Sequence, residues 1–260
     1  MIHYINHWPS GMLLLAFAAA SIALMFILHK MFRVLLDKFV PGHKADLAIN
    51  IHTSISTLAG LIVAFCLVQA VTTYRQTESI VRQEAVRINS LDRLLVRYGE
   101  PELETVRQAL REYAQSIVKD EWVAMDAGRR SEKTDALFRP VYKGVENIRP
   151  STPREVATYS EMLKLTDSLA DSRNDRLDAA EFAIPTIFWA VIGMLVLLKT
   201  MLSAYADRSL SSDIVWAAQM AAFSSLLALT FSFDEPLRGA AAIKPTPIIE
   251  VIKVISSRTN

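Results

Sequence analysis

Four stretches of the chain, residues 12–28, 55–71, 182–198 and 214–233, contain no Asp, Glu, Lys or Arg. Each reaches the roughly 17 residues that a helix needs at minimum to cross about 30 Å of hydrocarbon. Uncharged polar residues at the edges, such as Ser10, Thr53, Thr72 and Thr200, extend them. Between the second and third stretches the pattern changes from uniformly apolar to one-sided. Val81, Ile88, Leu91 and Leu95 form a helical stripe that leaves the second apolar stretch without a breaker. Gly99 and Pro101 mark a stop and a new start. Leu103, Val106, Leu110, Tyr113 and Ile117 then recur at alternating steps of 3 and 4 as far as Gly128. Leu137, Val141, Val145 and Ile148 give a shorter face.

Thr152 followed by Glu155 is a capping box, with Pro153 at the first helical position, where its missing N–H costs nothing. From there Val156, Tyr159, Met162, Leu163, Thr166 and Ala170 carry a helix with no breaker before Pro185. The pattern predicts that this helix runs into the third apolar stretch, kinked at Pro185. The tail from Ile243 to Ile255 is apolar and predicts a short interfacial helix after Pro247. No β alternation and no internal repeat are present.

The predicted fold class is therefore an all-α membrane protein with four transmembrane helices and a helical stalk inserted between helices two and three. The first pair falls in residues 1–71, with spans near 12–30 and 54–73. The water-exposed stalk is 72–181, the second pair 182–233, and the tail 234–260. Composition agrees. The 260 residues are 52% hydrophobic, and every one of the formal charges lies outside the four stretches. A soluble domain would spread charge over every element, so the simple soluble and disordered classes are excluded. The net charge of +1 and the absence of a basic stripe give no case for nucleic acid.

The first stretch is read as an uncleaved spanning helix, because only His3 and His7 precede it where a signal peptide carries positive charge. Counting basic residues near the membrane does not orient the stalk. Lys30, Arg33, Lys38, Lys44, Lys199 and Arg208 fall on one side. Arg75, Arg82, Arg87, Arg173, Arg176, Arg238, Lys244, Lys253 and Arg258 fall on the other.

Enzyme signatures are missing. There is no nucleophile elbow, phosphate loop, zinc-protease helix or Cys pair, so no catalytic residue, cofactor or metal site is expected. Cys66 reads as a packing residue, and His3, His7, His43 and His52 as interfacial polar groups. Asp167, Asp171, Asp175 and Asp178 share a helical face. That face is either solvated and balanced by Arg173 and Arg176, or a cation site across an oligomer interface. Glu84 stands on the Val81–Ile88–Leu91 stripe, where an apolar residue is expected. It calls for an ion-pair partner among Arg87, Arg173 and Arg176, or for an aqueous lumen. Asp234 and Glu235 end the fourth stretch and either attract cations or stop the helix. In helix two, Ser56, Gly60 and Ala64 fall four apart, which suits close helix packing. Gly60, Ala64, Phe65, Val68, Gln69 and Thr72 are the alternative pore lining.

Taken together, these residues resemble the bestrophin-like domain family of bacterial membrane proteins. The resemblance rests on Gly60–Phe65, Tyr74-Arg75, Glu84-Ala85 with Asn89, Arg173, Arg176-Leu177, Ile184-Pro185 with Trp189, and Asp234-Glu235-Pro236-Leu237-Arg238-Gly239. It implies four spans and a cytosolic stalk extended from helices two and three. It also implies five subunits in the inner membrane around one ion pore lined by helix two. Two features of bestrophins are absent: the aspartate run after the last span, and the aromatic-proline pore neck. The function expected is an oligomeric ion channel that binds lipid, inorganic ions and its own copies. The alternative is a membrane-anchored sensor or scaffold whose stalk binds a partner.

Overall fold

The computed structural model of the chain describes residues 10–39, 45–205, 210–239 and 241–258. Among the described residues the regular structure is all helical, with no strand. Helix α1 is Ser10–Phe39 and α2 is Ala45–Tyr98, the latter 54 residues long. α3 is Leu103–Ser116, followed without a break by a π-helical turn, Ile117–Glu121, and by α4, Trp122–Asp126. α5 is Glu132–Glu146, α6 Pro153–Glu181, α7 Thr186–Ser203, α8 Leu210–Asp234 and α9 Thr246–Ser257. Among the described residues, three helical runs are long and apolar enough to cross a membrane, starting at Ala48, Pro153 and Leu210.

The chain divides into two units. An apolar unit takes the residues up to 72 with 183–235 and 239–241. A polar unit takes 73–182, 236–238 and 242 onward. In the apolar unit, Ala59, Val63, Cys66 and Ala70 of α2 pack with Ile184, Ile192 and Leu195 and with Phe223 of α8. Their steps of 4, 3 and 4 put them on one face of α2. α1 packs along α8 and α7.

The polar unit is a helical bundle. Its core joins Val81, Ile88, Leu91 and Leu95 of α2 to Leu110, Tyr113 and Ile117, to Val141 and Val145 of α5, and to Met162 and Leu169 of α6. Gly99 takes a φ of 86°, ending α2 in a conformation that glycine adopts without penalty. The α6 start forms a full capping box: Glu155 N–H donates to Thr152 Oγ1 at 3.2 Å, and Thr152 N–H donates back to Glu155 Oε2 at 3.3 Å. Those hydrogen bonds, with others from Ser151, hold the Glu155 carboxyl down at about 2. Thr152→Ala removes one half of the box. It is expected to cost about 1 kcal/mol of unfolding free energy, measured by denaturant titration of the full chain.

The structure differs from the sequence pattern in four places. First, α6 does not run into the third apolar stretch. It ends at Glu181, and residues 182–185 are not helical. Proline lacks the N–H that would continue the ladder and biases residue 184 away from helical angles. The Ile184 N–H instead donates to Asp234 Oδ1 at 2.6 Å. Second, the tail helix α9 is not interfacial. Ile248, Val251 and Ile255 are buried in the polar unit's core. Third, Lys30, Arg33 and Lys38 lie inside α1, and Lys199 lies inside α7, so they are not loop charges. Fourth, His52 is no interfacial group: it lies within α2, 3% exposed, with its ring 4.4 Å from that of Trp216. His3, His7, His43, Lys44 and Arg208 lie outside the described residues.

Candidate functional site

Two sets of residues carry the chemistry: an exposed face of α2 in the apolar unit, and a buried charge cluster in the polar unit. On α2, Ala64, Phe65, Val68, Gln69 and Thr72 are exposed and Gly60 is half-buried. Phe65 and Val68 are 67% and 64% exposed, and Leu58 and Leu61 are exposed beside them. The packing face of Ala59, Val63, Cys66 and Ala70 points elsewhere. A side chain added at Gly60 would meet nothing within 4 Å, so Gly60 makes no close helix contact among the described residues. The Thr72 hydroxyl donates to Val68 O at 2.8 Å, a helical back-bond that leaves the side chain on the outer face.

In the polar unit Glu84 is fully buried. Arg176, also fully buried, donates from Nε to Glu84 Oε2 at 2.6 Å and from Nη2 to Glu84 Oε1 at 3.1 Å. This two-pronged geometry fits the flat guanidinium to the carboxylate. The same Nη2 donates to Glu121 Oε2 at 2.6 Å, and Nη1 reaches the Met125 sulfur at 3.2 Å. Arg176 also lies 5.4 Å from the ring of Trp122. Arg173, one turn earlier on α6, donates to Glu121 Oε1 at 2.6 Å and to Asp135 Oδ1 at 3.0 Å. The Tyr113 hydroxyl donates to Glu84 Oε1 at 3.3 Å. Burial, and then the Glu84 charge, push the Tyr113 phenol well above its ordinary value. Hydrogen bonds from Arg173 and Arg139 hold the Asp135 carboxyl below the usual aspartate range. Asp135 therefore stabilises the cluster above the ordinary aspartate pKa, and that contribution is lost as pH falls through its depressed value.

Of the three arginines weighed against Glu84, Arg176 is the one that meets it. Arg87 donates instead to Ser168 O at 2.9 Å. Arg173 and Arg176 do not balance the aspartate row either. Asp167, Asp171, Asp175 and Asp178 are exposed, and Asp178 pairs with Arg130 at 3.0 Å. No group of three or more His, Cys, Asp or Glu among the described residues is arranged to hold a metal ion.

Glu121 is the member that periodicity missed. It ends the π-helical turn, where the widened backbone re-aims a side chain out of the α-helical register. Nothing in a search for 3.6-residue stripes marks such a turn. A second cluster was also missed. Asp92, fully buried, accepts from Arg107 Nε at 3.0 Å and from Arg258 Nη1 at 2.7 Å, while Arg258 Nη2 donates to Asn89 Oδ1 at 2.7 Å. Arg107 and Arg111 share Glu104 at 2.6 and 2.7 Å.

The exit motif divides between the units. In the apolar unit Asp234 binds the Ile184 N–H and the Trp189 side chain, so it caps the break before α7. Glu235 follows it. In the polar unit Arg238 donates to Met125 O at 3.1 Å and covers Gly128, whose φ of 72° turns the chain after α4. Trp122 Nε1 donates to Ile243 O at 3.2 Å.

A family model described as Bestrophin-like domain matches residues 15–248. No curated protein matches the chain. Solved structures of similar fold include two single-residue variants of a bacterial bestrophin homologue from Klebsiella pneumoniae. The leucine-to-threonine variant has a TM-score of 0.72 at 12% identity, covering 94% of this chain and 99% of that one. The tryptophan-to-alanine variant has a TM-score of 0.73 at 13% identity, covering 95% and 98%. A crystal structure described as a membrane protein, in a proline-to-alanine variant, has a TM-score of 0.70 at 13% identity over 93% and 98%. The match spans most of the sequence, and the all-helical architecture with its long apolar helices agrees with it, so the chain belongs to the bestrophin-like domain family of membrane proteins.

Proposed function

We propose that this chain is one subunit of an oligomeric ion channel, with α2 lining the pore through Gly60, Ala64, Phe65, Val68, Gln69 and Thr72. In this reading α1, α2, α7 and α8 cross the cell inner membrane, the stalk of residues 72–181 faces the cytoplasm, and five copies surround the pore. The observation that carries it is the outer face of α2. It is uncharged over residues 55–71, carries the exposed Phe65 and Val68 and, among the described residues, lies off the face of α2 that packs with α7 and α8. An apolar ring formed by Phe65 or Val68 would gate by dewetting. Glu84, Arg173 and Arg176 hold the helices that carry the pore in register, and Asp234 and Glu235 stand at the membrane exit.

The test joins mass and flux. The purified protein is expected to run as an oligomer in detergent and to pass ions in liposomes. In a Cys66→Ala background, Phe65→Cys and Val68→Cys are expected to react with a water-soluble thiol reagent that blocks flux, whereas Val63→Cys does not react. A monomer, or an oligomer silent in liposomes, refutes the reading.

A further inference from the structure

The apolar unit holds a cation in an unusual setting. Lys199 lies on α7 and is 2% exposed. Among the described residues it forms no ion pair and no hydrogen bond, and its ammonium lies 4.9 Å from the Phe223 ring. A cation–π contact offsets only part of the cost of removing an ammonium from water. Charged groups at membrane depth otherwise find a partner or a wet cavity.

Buried polar atoms on α2 and α8 of the same unit are also unsatisfied. Trp216 and Phe223 are one face of α8, and Gln219 falls between them at steps of 3 and 4. Trp216 packs edge-on against His52 of α2, and the Lys199 charge reaches His52. Ser56 is one turn beyond His52. The buried atoms His52 Nε2, Ser56 Oγ and Gln219 Oε1 have no hydrogen-bond partner among the described residues. Three orphaned buried atoms on α2 and α8, with an ammonium on α7 that has no ion pair among the described residues, depart sharply from the normal rule that buried polar groups are paired.

We infer that Lys199, His52, Ser56 and Gln219 form a binding site for a singly charged anion, at the end of the apolar unit where α7 closes and α8 opens. The ammonium supplies the charge, and Ser56 donates a hydroxyl. His52 in its Nε2–H tautomer donates a ring N–H. The Gln219 amide donates its NH₂ group when the amide is turned end for end. The anion is a halide or small oxyanion from the water, or the phosphate of a lipid headgroup. The site is on the packed side of α2, away from Phe65 and Val68, so it does not depend on the pore reading.

The test is thermal unfolding of the full-length protein in sodium chloride, sodium nitrate and sodium gluconate at equal ionic strength. It is run in nanodiscs of phosphatidylcholine and of phosphatidylglycerol. Chloride or nitrate is expected to raise Tm over gluconate in the neutral lipid if the anion comes from water. If it comes from lipid, phosphatidylglycerol raises Tm regardless of salt. Lys199→Met is expected to abolish either dependence and Lys199→Arg to keep it. Gln219→Leu, which leaves the charge in place, is expected to weaken half-saturation about tenfold. No dependence on anion or lipid in the wild type overturns the site, as does full dependence in Lys199→Met. If Lys199→Met fails to fold, an unchanged half-saturation in Gln219→Leu overturns it instead.

Discussion

Replacing Arg176 with methionine is expected to cost about 3–5 kcal/mol of unfolding free energy, the largest single loss available in the polar unit. Arg176, Glu84 and Glu121 are all fully buried. Without the guanidinium, Glu84 keeps only the Tyr113 hydroxyl at 3.3 Å, and Glu121 keeps Arg173. Two carboxylates are then left in a low-dielectric core with one buried arginine between them. Most of the cost is that stranded charge, not the intrinsic value of the pair. The double variant Arg176→Met with Glu84→Leu is therefore expected to be more stable than the single one, because it removes both desolvated ions and leaves Glu121 paired. Denaturant unfolding followed by circular dichroism measures both. A single-variant loss below about 1 kcal/mol would show that the cluster is wet, and a double variant no better than the single would show that packing outweighs charge.

Asp92→Ala comes second, at about 3 kcal/mol. The fully buried Asp92 carboxylate holds Arg107 and Arg258 from opposite sides. Arg107 is 7% exposed and already has one unsatisfied atom, Nη2; without Asp92 it depends on Glu104 alone. Arg258 follows α9 and would retain only Asn89 Oδ1. The loss should therefore be visible locally as well as globally. Amide hydrogen exchange over residues 252–257 is expected to quicken more than exchange over 162–169 in the core of α6. Equal change in both segments would mean that Asp92 serves the bundle as a whole and does not anchor α9.

These two clusters show what a one-dimensional pattern conveys about this chain. The periodicity of α2 beyond the membrane stretch, the stop at Gly99 and the capping box at Thr152 are local, and each follows from residues within a turn or two of one another. Glu84 was visible because it interrupts a stripe. Its partner was not, since 92 residues separate it from Arg176 and three arginines had the same local claim. Asp92 was hidden for a different reason. On a helix rich in charge it looks like any solvated aspartate, and only the return of residue 258 encloses it. The break at 182–185 was underestimated because Pro185 near the start of an apolar run reads equally well as a kink; the Asp234 carboxylate that accepts the freed Ile184 N–H comes 50 residues later. Lys199 was misread because basic residues at the edge of an apolar stretch usually reach back to water.

The π-helical turn bears on how relatives should be aligned. Ile117–Glu121 contains one residue more than the same span of α-helix would hold. A relative that forms α3 through α4 as an uninterrupted α-helix has no such surplus. In that chain, the acid facing the equivalents of Arg173 and Arg176 stands one position nearer to the equivalent of Tyr113. A gap-free alignment then pairs Glu121 with the wrong neighbour, and a conserved contact passes for a lost one.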